Sequence, residues 1–97
     1  MSGGRAVRME MSIPIVYRRS GDDHWFQATV LNLSESGVLF GPTDLVRGAW
    51  VEMILSPPRP VGSFPNGKQV CRAQIVRATE IGAVAAKFED CRFLLEL

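Results

Sequence analysis

Between Ser12 and Glu89 the chain is cut into short alternating stretches of apolar and polar residues by glycine, proline, asparagine and aspartate, and this punctuation confines it to β-structure. Ile13, Ile15 and Tyr17 alternate over 12–19, Phe26, Ala28 and Val30 over 25–31, and Val51, Met53 and Leu55 over 49–56. Val38-Leu39-Phe40 makes a short third strand, closed by Gly41-Pro42. Residues 68–79 point Cys71, Ala73 and Ile75 one way, then slip phase at Val76, which predicts a bulge or a bend at a barrel corner. Val84, Ala86 and Phe88 supply the last inward set, over 83–89. A period of two puts each set on one face of its strand. Pro14 has no amide to donate, so the first strand starts at an edge. Six short strands with turn signals roughly every ten residues predict an all-β chain forming a closed or nearly closed six-stranded barrel. Asp90 is a good N-cap, and 91–97 reads as a short C-terminal helix.

Ninety-seven residues leave room for one hydrophobic core. Residues 1–11 lack a clean period and read as a flexible N-terminal segment carrying Arg5 and Arg8, ahead of a barrel domain at 12–97. The net charge of +1 argues against a nucleic-acid polymer or an anionic membrane surface as the main partner. An anion, if bound, must be gripped by a few local cations. No apolar run approaches the ~18 residues of a membrane span. Glu10, Ser12 and Pro14 interrupt any leader-like stretch, so the expected location is the cytoplasm. Cys71 and Cys91 form no C-x-x-C pair and are expected as reduced structural residues, without a metal.

Catalytic machinery is not expected. His24, the single histidine, sits in a charged turn beside Asp22 and Asp23 and reads as a solvated surface residue. Carboxylates are scattered, with no pair spaced for shared acid and base roles. Trp25 and Trp50 read as barrel residues, and Arg18 and Arg19 as solvent-facing.

The informative stretch is the polar turn at 32–37, which carries Asn32, Ser34 and Gly37 between two strands that read as buried. Any mixture of Asn, Ser and Gly can build a turn. Here, however, Asn-x-Ser-x-x-Gly follows a strand and leads into Val-Leu-Phe. This resembles the D/N-x-S-x-x-G signature of PilZ domains, and the order of strands, the Pro/Gly-rich excursion before strand five and a C-terminal helix are similar along nearly the whole chain. The resemblance implies a six-stranded PilZ-like β-barrel that binds cyclic di-GMP and acts on a protein effector, with no other cofactor. It assigns Asn32, Ser34 and Gly37 to the second binding motif. The family's upstream R-x-x-x-R motif falls on Gly-Arg-Ala-Val-Arg, with Arg8 on its second position, Gly4 on its first and Arg5 one residue out of step.

Cyclic di-GMP carries two phosphate charges and two guanines. An arginine fork can donate two parallel hydrogen bonds to guanine O6 and N7 or to phosphate oxygens, a planar match that lysine lacks. The spacing of Arg5 and Arg8 leaves a second reading open, a PilZ-like protein-interaction module without the nucleotide. A barrel binding single-stranded nucleic acid is a third, disfavoured by the low charge and the lack of interleaved basic and aromatic residues.

Overall fold

The computed structural model describes residues 8–94. Its strands run, in chain order, β1 (Arg8–Arg19), β2 (Phe26–Ser34), β3 (Gly37–Gly41), β4 (Trp50–Leu55), β5 (Gln69–Ala78) and β6 (Val84–Phe93). Two antiparallel meanders, β1-β2-β3 and β4-β5-β6, join edge to edge through β3–β6 and β1–β4 and close the barrel. Closure leaves no exposed edge along most of the sheet. Only Val16–Arg19 of β1 pair with β4, so Pro14 lies in the half of β1 that has a ladder on one side, as its missing amide requires.

The inward sets fill the interior. Ile15, Tyr17, Ala28, Val30, Val38, Phe40, Val51, Met53, Leu55, Cys71, Ala73, Ile75, Val84 and Ala86 are all buried there. Tyr17 keeps its polar end satisfied by sharing a 2.8 Å hydrogen bond with Thr43 Oγ1. Buried Gln69 donates from Nε2 to the Pro65 carbonyl at 2.8 Å, tying β5 to the loop before it.

Three expectations are corrected. The C-terminal helix is absent from 91–94: β6 continues through Phe93, with Cys91, Arg92 and Phe93 paired to Cys71, Val70 and Gln69. A two-turn helix is a poor nucleus on its own, whereas the long β5 offers these residues ready ladder partners. Residues 95–97 lie outside the described residues. Strand one begins earlier than expected, so Arg8–Met11 belong to the sheet rather than to a tail. Cys71 and Cys91, directly opposite in register, are joined as a disulfide rather than reduced; their 20-residue separation hides in sequence what β5–β6 pairing makes adjacent. Trp25, directly before β2, and Trp50, at the start of β4, are barrel residues as expected and lie on its outer surface. Trp25 sits under the Arg18 guanidinium at 4.7 Å and Trp50 under that of Arg72 at 4.4 Å.

Candidate functional site

The turn expected at 32–37 is shorter than its sequence implies. Strand β2 continues to Ser34 and β3 starts at Gly37, so only Glu35 and Ser36 lie between. Ser34 builds this turn: its Oγ accepts from the Gly37 amide at 3.1 Å and the Ser36 amide at 3.3 Å. Gly37 is required by close approach, since a Cβ there would fall on the Ala86 carbonyl oxygen of neighbouring β6. Its φ is not in the left-handed region, so packing and not backbone strain selects glycine.

A bulge aims Asn32 outward. Val30 pairs with Phe40 and Asn32 with Leu39, which leaves Leu31 as an extra residue on β2. Without it, the alternation of Ala28 and Val30 would carry Asn32 into the core. With it, Leu33 takes the core position, fully buried, and Asn32 lies on the outer face beside Ser34. The bulge expected at Val76 does the same on β5: the register shifts between Ile75 and Arg77, which sends Arg77 outward while Ile75 stays in the core.

Register then assembles the site. Asn32 on β2 faces Leu39 on β3, Leu39 faces Ala85 on β6, and Ala85 faces Arg77 on β5. This row crosses four strands on the outer face of the barrel, and a recess of about 220 Å3 opens over it, lined by Asn32, Ser34, Gly37, Leu39, Ala85 and Arg77. Small residues at Gly37 and Ala85 lower its floor. Polar groups from Asn32 and Ser34 stand on one side and a guanidinium on the other. Among the described residues Arg77 forms no ion pair.

Arg8, one strand further round, pairs with Ser34 in the β1–β2 ladder, so its backbone lies beside the signature. Arg5 lies outside the described residues. Asn32, Ser34 and Gly37 are therefore brought together as the sequence predicts, and the expected cation Arg8 is on the adjoining strand. Arg77 was missed. Its one local signal was the phase slip at Val76, which marks a residue turned outward but not toward what.

On its other side the turn meets the loop between β4 and β5. Glu35 Oε2 accepts from the Ser63 amide at 2.8 Å and from Ser63 Oγ at 2.7 Å. The amide bond first, then the hydroxyl bond, hold the Glu35 carboxyl below the ordinary value of 4.5. His24 is exposed, its ring edge-on to Phe26 at 4.5 Å between centroids, as a surface residue should be. No helix among the described residues is long and apolar enough to cross a membrane.

No protein-family model and no curated protein sequence matches the chain. Among solved structures it is similar to the crystal structure of the PilZ domain of CeSA from a cellulose-synthesizing bacterium, with a TM-score of 0.62 and 16% identity over 86% of this chain and 80% of that one. The barrel has a PilZ-like fold. At that identity the likeness is one of architecture, and function has to be argued from the recess.

Proposed function

We propose that this chain is a regulatory domain, not an enzyme, that binds cyclic di-GMP in the recess and passes the bound state to a protein effector. The observation that carries the reading is the convergence of Asn32, Ser34 and Gly37 with Arg77 on one recess of a PilZ-like barrel. Arg77, without a carboxylate partner among the described residues, keeps its fork available for guanine O6 and N7 or for a phosphate. Asn32 offers both a donor and an acceptor to a base edge. Leu39 and Ala85 give a flat base an apolar floor. Arg8 lies opposite Ser34 on the next strand, and Arg5 precedes it by three residues. Ordering of residues 1–7, which carry Arg5 ahead of the sheet residue Arg8, over the captured nucleotide is the change an effector would read.

Calorimetric titration with cyclic di-GMP tests this. Saturable binding is expected, weakened about tenfold or more by Arg77→Ala, the loss of one bidentate contact being worth roughly 1–3 kcal/mol, and weakened also by Arg8→Ala. A flat titration at high ligand concentration, with the fold intact, overturns the receptor reading and leaves the nucleotide-free interaction module in its place.

A further inference from the structure

The β2–β3 turn has two faces. Ser34 looks into the recess, and the next residue, Glu35, reaches away from it to a loop distant in sequence. Both donors of Ser63 converge on a single Glu35 oxygen, at 2.8 and 2.7 Å, across 28 residues of chain. The receiving loop is firm. Val61 and Phe64 exchange backbone hydrogen bonds at 2.9 Å each, and both side chains are buried. The turn is firm as well, since Ser34 bonds across it and the Ser36 carbonyl accepts from the Phe88 amide at 2.9 Å. Phe88 in turn packs against Phe64, ring centroids 5.2 Å apart. Between turn, loop and β6 lies a cleft of about 330 Å3, separate from the recess and lined by Glu35, Ser63, Phe64, Phe88 and Phe93 among others.

We infer that Glu35 is a positioning residue that couples the recess to this loop, so that a ligand moving Ser34 and Gly37 is registered at Ser63 and along the cleft. The inference rests on the nucleotide-binding reading for its ligand, but the coupling itself is a property of the turn. Two firm elements joined through both donors of Ser63 on one exposed carboxylate oxygen move together, whereas a side chain without such a partner would transmit nothing. The contact has an electrostatic consequence too. Held by Ser63, the Glu35 charge stays on the loop side; turned toward the recess it would oppose an anion there.

Backbone amide spectra of the 15N-labelled chain, recorded on adding cyclic di-GMP, test the coupling. In the wild type the amides of Asn32, Ser34 and Gly37 and that of Ser63 should shift together, with one apparent affinity. In Glu35→Ala the recess amides should still shift while the response at Ser63 is lost. A Ser63 amide that stays still in the wild type while the recess responds, or that responds equally in Glu35→Ala, overturns the coupling. If the recess amides do not respond at all, it is the nucleotide reading that fails. The coupling is then read without ligand by perturbing the turn through Ser34→Ala. A Ser63 resonance that Ser34→Ala displaces when Glu35 is present, but does not displace further in the Glu35→Ala background, supports it, and one that Ser34→Ala leaves unmoved with Glu35 present overturns it.

Discussion

The barrel uses arginine in opposite ways on its two sides. Across β1, β4, β5 and β6 a register row reads Arg18, Glu52, Arg72, Asp90, alternating in charge from strand to strand. Arg18 Nε donates to Glu52 at 2.8 Å and lies over Trp25, and Arg72 donates to Glu89 at 2.6 Å and lies over Trp50. Each guanidinium there has a carboxylate partner and an aromatic face, and is engaged inside the molecule. Across β2, β3, β6 and β5 the corresponding row reads Asn32, Leu39, Ala85, Arg77, with no carboxylate among these four residues, and it meets Glu10 of β1 opposite Asn32, at the end far from Arg77. One row is built to stabilise the sheet and the other to leave a cation available. Arg18 and Arg72 are paired within the sheet, whereas Arg77, without an ion pair among the described residues, borders a recess.

The comparison can be broken most sharply at Gly37. Gly37→Ala would drive a methyl into the Ala86 carbonyl, and the β3–β6 seam must open to accept it. Overpacking of this kind costs roughly 1–3 kcal/mol, lowering Tm by about 4 °C or more in thermal unfolding and removing the recess with it. A wild-type Tm for this variant would mean that the β3–β6 seam yields to a methyl group without cost. The two arginines then give a crossed pair. Arg77→Ala should leave Tm unchanged and cut cyclic di-GMP affinity about tenfold or more. Arg72→Ala should leave affinity unchanged and cost about 1 kcal/mol of stability, from an exposed ion pair and a cation–π contact together. If both variants lose stability and neither loses affinity, the two rows do not differ in kind.

A smaller effect is expected at Ser34. Ser34→Ala removes the acceptor for two backbone amides, and denaturant unfolding should show a loss of about 1 kcal/mol along with weaker binding. Smallest is the titration of Glu35. Its carboxyl is held below the ordinary value, so the contact with Ser63 is fully formed above about pH 4.5 and is lost as pH falls through the lowered value. The Ser63 amide resonance should follow that titration with a midpoint below 4.5 and should not titrate in Glu35→Gln.

Much of this was legible before any coordinates. Alternation over Ile13–Tyr17, Ala28–Val30, Val51–Leu55, Cys71–Ile75 and Val84–Ala86 marks the buried faces, because side-chain direction along a strand is a local property with a period of two. The break of that period at Val76 announced a bulge, and the Asn-x-Ser-x-x-Gly spacing announced the turn. The bulge at Leu31 was hidden, since Val30-Leu31-Asn32-Leu33 can be read with either leucine inward. Asp90 looked like a helix cap because a good cap and an ordinary strand residue are the same aspartate until a partner strand is present.

Partner strands are the part that no local pattern contains. Arg77 shares a recess with Asn32 only because β5 pairs with β6, β6 with β3 and β3 with β2, each in one register. The Cys71–Cys91 bridge, the extension of β6 to Phe93 and the reach of Glu35 to Ser63 are likewise products of closure. Period-two alternation decides which face of each strand is buried at little cost in chain entropy, strand by strand. Which residues meet across the outer surface is decided by the register in which two meanders close on each other, and that is a property of the whole barrel.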